Sequence, residues 1–206
     1  MRIFCVMVFV LMLLNTSGQT RFAVKAGWDM STARVYLNDI KQPNQYKNGF
    51  NIALQMKVPF DVNLFFTPFI AFSSRGYTYL PTTDSVSKYD NTIHYLDFVP
   101  ALSYDFHTGK NLLTISMGPE ISYALDGTEK TTIAGQTGSK KMPFAIDGDY
   151  GIFDLGFNWG ISYHFKKVFI EAAYQLGCAN INNNVDIDGR NIRNRMFCVN
   201  LGYYLK

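Results

Sequence analysis

The sequence predicts an all-β fold, an eight-stranded antiparallel up-and-down transmembrane β-barrel, and three observations carry that expectation. Apolar and polar residues alternate at period two in eight segments of about ten residues. The connections between those segments alternate between long polar stretches and tight turns. The apolar content, 48% of 206 residues, is spread so evenly that only one long apolar run exists, at the N-terminus. A helical membrane protein would gather its apolar residues into several such runs.

That run, from Ile3 to Leu14, follows Arg2 and precedes Thr16-Ser17-Gly18. It falls short of the ~20 residues a spanning helix needs, and small residues stand behind it, the pattern of a secretory signal peptide. Residues 1–18 are expected to be the signal peptide and 19–206 the barrel, with Gln19 as its first residue. Cys5 sits at the front of the run, the wrong place for a lipoprotein cysteine.

The first strand is expected over 22–30, with Phe22, Val24, Ala26, Trp28 and Met30 facing out and Lys25, Gly27 and Asp29 facing in. The second, over 50–58, turns Phe50, Ile52, Leu54, Met56 and Val58 outward; Pro59-Phe60-Asp61 follows as a turn. The third (62–75) and fourth (95–105) alternate in the same way, with Arg75 and Asp97 inward. The fifth (112–124) carries Glu120 inward, the sixth (152–164) Asp154, and the seventh (168–178) Glu171 and Gln175. The eighth, 195–205, turns Phe197, Val199, Leu201, Tyr203 and Leu205 outward. Pro68, Pro100 and Pro119 lie inside strands, where each forfeits a ladder hydrogen bond, so a bulge or irregularity is expected at each. The connections 31–47, 76–92, 126–149 and 179–194 are long and polar, and the other three are short. With an even strand number, both termini fall on the short-turn, periplasmic side.

The inward face gathers a candidate interior charge network of Lys25, Lys57, Arg75, Asp97, Glu120, Asp154 and Glu171. Lys25, Lys57 and Glu171 are placed near the short-turn end, Asp97, Glu120 and Asp154 at mid-barrel or above, and Arg75 higher still. Lys25 and Glu171, on strands separated only by the eighth, are expected to pair. Such a network is either an ion path or a salt-bridged plug. Eight strands leave an interior that side chains fill, which favours the plug.

Catalytic residues are not expected. His94, His107 and His164 fall at a strand start and in or beside turns and read as surface residues, with no Ser–His pair sharing a site. Cys178 and Cys198 form no Cys-x-x-Cys pair, so no metal site and no cofactor are expected. Their alternation puts them on opposite faces, which predicts two free thiols. All but one of the 19 Lys and Arg remain after Arg2 is removed, against 16 Asp and Glu, without a basic stripe; nucleic acid is not an expected partner. Trp28, Trp159, Tyr104, Tyr123, Tyr163 and Tyr203 face outward, as an interfacial aromatic girdle would. The alternative is a soluble lipocalin-like barrel binding a small apolar ligand, which would need the apolar face inside. Asp84-Ser85-Val86 is similar to an O-glycosylation acceptor triplet of Bacteroidota, though three residues arise often by chance.

Several motifs in order resemble the PorT-like outer-membrane β-barrel domain family of Bacteroidota. They are Val24-Lys25-Ala26-Gly27 with Ser31, Thr67-Pro68 leading to Arg75-Gly76, Tyr95-Leu96-Asp97-Phe98-Val99-Pro100, Gly118-Pro119-Glu120, Phe153-Asp154-Leu155-Gly156, Tyr174-Gln175-Leu176-Gly177, and Asn194-Arg195 before Leu201-Gly202-Tyr203. The likeness departs at Ala173, where the family carries Arg, and at Leu205-Lys206, where it ends on Phe. The resemblance implies an outer-membrane barrel without assigned catalytic residues. The expected partners are outer-membrane lipid, the barrel-assembly machinery during biogenesis, and an extracellular or envelope protein of unknown identity.

Overall fold

The computed structural model describes residues 20–81, 86–109, 111–146 and 148–205. The expected signal peptide, and Asp84 and Ser85 of the acceptor-like triplet, lie outside the described residues. The elements are β1 (Arg21–Leu37), β2 (Ile40–Lys41), β3 (Asn44–Gln45), β4 (Lys47–Asp61), β5 (Leu64–Tyr79), β6 (Val86–Thr108), β7 (Asn111–Ile133), β8 (Gln136–Lys141), β9 (Phe153–Phe165), β10 (Val168–Gly177) and β11 (Arg190–Tyr204), with one helical turn, α1 (Val185–Asp188).

Eight long strands, β1, β4, β5, β6, β7, β9, β10 and β11, pair antiparallel in chain order, and β11 closes on β1. Closure leaves the long strands no unpaired edge, which is the condition for crossing hydrocarbon with strands. The short β2, β3 and β8 are added at the long-loop end, against β1, β5 and β7. The period-two faces follow the sequence: Lys25 and Asp29 are buried in the lumen, while Phe22 and Trp28 between and beside them are exposed on the outer wall. Cys178 is exposed and Cys198 buried, and both thiols are free.

Two expectations are corrected. Three of the four long connections are not loops over most of their length: β1 runs on to Leu37, β5 to Tyr79, β6 starts at Val86 and β7 continues to Ile133, while the fourth stays outside the strands until Arg190. Lys130 and the side chain of Lys88 are exposed on these extensions while Ser31, Asn91 and Glu129 are buried, so polarity there marks the end of the membrane band and not the end of the strand. The β4–β5 turn is Val62-Asn63, with Pro59, Phe60 and Asp61 kept in β4; Asn63 takes the positive φ of 62° that Asn tolerates in a turn.

The expected irregularity is present at each of Pro68, Pro100 and Pro119, as a local opening of the ladder and not as a bulge: pairing between β4 and β5 lapses opposite Pro68, between Gln55–Phe69 and Val58–Phe66. Pro68 pairs with Pro100 in an unbroken β5–β6 register. Pairing between β6 and β7 stops after Phe98–Ile121 and resumes at Leu102–Met117 in the same register, which sets Pro100 opposite Pro119. Two prolines facing each other at one hydrogen-bonding site lose their N–H groups together, so the ladder opens locally without slipping. The register shifts lie away from these three prolines, at Pro59/Asp61, Val86/Lys88 and His94/Tyr95.

Candidate functional site

The lumen is filled in layers. At the short-turn end Ala23, Phe169 and Tyr204 form a small apolar cluster. Gly202 makes room for it, because a Cβ there would lie 2.0 Å from the Phe169 ring. His164 stacks on Phe169 and Tyr204, with ring centroids 5.1 and 5.8 Å away, and is buried. This corrects its reading as a surface residue. One of its ring nitrogens lies 2.9 Å from Ser162 Oγ, a Ser–His contact the sequence reading did not expect. The two residues stand two apart on β9 and so share the inward face. Among the described residues no carboxylate hydrogen-bonds the imidazole.

Above this cluster Lys57 Nζ reaches both Asp105 carboxylate oxygens, at 2.6 and 2.7 Å, and Thr114 donates to the same group at 2.7 Å. Asp105 was absent from the expected network because it stood at the limit of its predicted strand. Its parity with Asp97, Ala101 and Ser103 was the signal that could have found it. In the next layer Lys25 Nζ lies 2.7 Å from Glu171 Oε1, over the Phe69 ring at 4.0 Å. Asn200 donates to the same oxygen at 2.8 Å, and Asn51 bridges Asn200 to Asp29.

Arg75 is the hub of the third charged layer. Its guanidinium lies 3.1 Å from Asp97 and 3.2 Å from Glu120, and it also donates to Ser122 at 2.7 Å and to Gln175. Ser73 and Asn158 donate to the two carboxylates at 2.6 and 3.0 Å. Arg75 was expected to stand higher than its acidic partners. Its backbone does, opposite Ile93 and not Asp97, but its long side chain reaches back to their level. Asp154 sits apart from this hub, accepting from Asn194 at 2.8 Å; Asn194 also contacts the Tyr95 hydroxyl at 3.2 Å, and Tyr95 lies under the Arg75 guanidinium at 4.2 Å. The seven expected residues thus divide into the Lys25–Glu171 pair, the Arg75–Asp97–Glu120 cluster, Lys57 on the unexpected Asp105, and Asp154 beside them. Burial removes these charges from water, and mutual pairing offsets that cost.

Beyond Tyr95 the interior changes character. Val35, Tyr77, Tyr79, Ile93 and Ile192 continue the inward parity of their strands, and Met142, Tyr150 and Ile181 come over them from the connections. The connections are tied together by Asn183, which donates to the carbonyls of Ala145, Ile146 and Gly148 at 3.3, 3.2 and 3.0 Å. Tyr150 donates to Glu129 at 2.8 Å. Burial and then the Glu129 charge hold its phenol above the usual range, so it remains a donor at neutral pH. The apolar cap inverts the arrangement of the band below, where apolar residues are outside and polar ones within. Above the membrane the outer wall meets water, so the apolar side chains go inside.

An apolar outer band, a charged lumen and full closure define a transmembrane β-barrel. Residues 15–183 match the family described as outer membrane protein beta-barrel domain, and the chain belongs to that family. It is an outer-membrane protein. Among solved structures it is similar to Ail, the attachment invasion locus protein of Yersinia pestis, at 15% identity and a TM-score of 0.48, covering 91% of this chain and 99% of that one. It is also similar to the outer membrane protein OprG from Pseudomonas aeruginosa, at 12% identity and a TM-score of 0.49, covering 90% and 95%. Neisserial surface protein A gives 15% and 0.46, covering 88% and 96%. Comparison with curated proteins returned no match.

Proposed function

We propose that the protein is a closed, non-conducting and non-enzymatic barrel that holds a folded extracellular platform for envelope structure, adhesion or the binding of a protein partner. The observation that carries this reading is the continuous filling of the lumen, from Tyr204 and Phe169 through three charged layers to the cap over Tyr77 and Ile192. Open channels need a wider ring, of about 16–18 strands in porins. The even strand number and the short turns on the side of the termini support an outward orientation for the long-loop end. At that end Ile40, Tyr46 and Ile146 stand 60, 67 and 81% exposed and offer apolar contact area to a partner.

Within the family, the order of the Val24-Lys25-Ala26-Gly27, Gly118-Pro119-Glu120 and Asn194-Arg195 motifs favours a PorT-like membership. A lipocalin-like ligand barrel is disfavoured, because its interior would be apolar where this one carries Lys25, Arg75 and their acids. Planar-bilayer recording of the purified protein tests closure. A silent bilayer is expected; steady, reproducible open-channel steps would overturn the reading.

A further inference from the structure

Where the apolar band ends at the long-loop side, the outer wall carries a group of cations that the chain leaves unneutralised. Ala33 and Val35 are buried inward, so Arg34 between them projects outward; Ile192, Asn194 and Met196 do the same for Arg193 and Arg195. β1 and β11 are bonded neighbours, and their register sets Arg34 directly opposite Arg193 and Thr32 opposite Arg195. Like charges directly opposed on one face destabilise a strand pair. Lys41 joins from β2, opposite Tyr36. Among the described residues no carboxylate lies within ion-pair distance of any of the four.

Arg34, Lys41 and Arg195 line a cleft of about 210 Å³ whose other walls include Met30, Tyr174 and Phe197. Below it the outward residues are membrane-facing: Trp28 on β1, Val199 and Leu201 on β11, and Trp159 packed on Tyr174 at 5.8 Å. The cations therefore stand at the headgroup level of one leaflet, with apolar and aromatic surface directly beneath. Planar guanidinium groups on adjacent strands match the oxygens of a phosphate.

We propose that this cleft binds the phosphorylated headgroup of an outer-leaflet lipid, with an acyl chain lying along Met30, Tyr174 and Phe197. The anion relieves the repulsion between Arg34 and Arg193. This rests on the outward orientation of the long-loop end, whereas the binding chemistry itself does not depend on closure of the lumen.

The test uses the purified barrel in a neutral detergent, titrated with bisphosphorylated lipid A, with its dephosphorylated form and with inorganic phosphate. Bound lipid is counted by native mass spectrometry, and the unfolding midpoint is followed in parallel. The bisphosphorylated lipid is expected to bind and raise the midpoint. Affinity should fall roughly fivefold for each arginine removed, and about 100-fold in the Arg34→Gln/Arg193→Gln/Arg195→Gln variant. In lipid-free detergent Arg193→Gln alone should unfold at a higher temperature than the wild type, a gain that also shows the substitution is tolerated. Equal binding of the triple variant or of the dephosphorylated lipid would overturn the proposal. So would equal stabilisation by inorganic phosphate, which would assign the cleft to a free anion. A conducting lumen, which would sink the platform reading, leaves all of these outcomes readable.

Discussion

Lys25 and Glu171 meet inside the barrel at 2.7 Å, across the strand that carries Asn200, and Asn200 donates to the same carboxylate oxygen. The three groups form one unit, because both donors converge on Glu171 Oε1. Glu171→Leu removes the acceptor and leaves Lys25 buried without an opposite charge. Breaking such a buried pair costs on the order of 3–5 kcal/mol. The thermal unfolding midpoint in detergent should fall accordingly. Lys25→Met added to Glu171→Leu should recover most of the loss, since replacing both members of a buried pair by apolar groups is often neutral. A single variant as stable as the wild type would mean the pair is solvated.

Pro100 and Pro119 face each other where the β6–β7 ladder is open. Pro119→Val returns one N–H, aimed at the Pro100 carbonyl, and places a strand-favouring side chain on the outer wall. The expected gain is about 0.5–1.5 kcal/mol for one restored hydrogen bond. Amide hydrogen exchange at residue 119 checks it directly: the restored N–H should be protected. Fast exchange there would show that the strands remain apart.

Ile181 is fully buried in the cap and comes from the connection between β10 and β11. Ile181→Ala should cost roughly 2–5 kcal/mol, as buried large-to-small changes do, but locally. Limited proteolysis of the folded protein should then cut the 142–150 and 179–189 segments faster, while the barrel's own unfolding transition stays in place. Loss of the whole transition would show that cap and barrel fold as one unit.

The sequence by itself determined the strand number, the two faces of each strand and the Lys25–Glu171 pair. Period-two alternation is a local property, and lipid on one side with a narrow lumen on the other forces the same parity on every strand. What only the tertiary structure decided lies across the lumen or above the membrane. Opposed residues traced round the ring from Arg195 through Leu176, Phe157, the three prolines, Met56 and Phe22 return to the last strand at Leu205, ten residues from the start. That stagger sets which inward residues meet at one height, and no single strand encodes it. It brings Lys57 to Asp105 and lets Arg75 reach Asp97 and Glu120. The burial of His164 and the cap of Tyr77, Ile93 and Ile192 escaped the sequence for a second reason. Parity continues unbroken past the membrane, but the solvent outside changes from lipid to water, and the same inward positions change from polar to apolar.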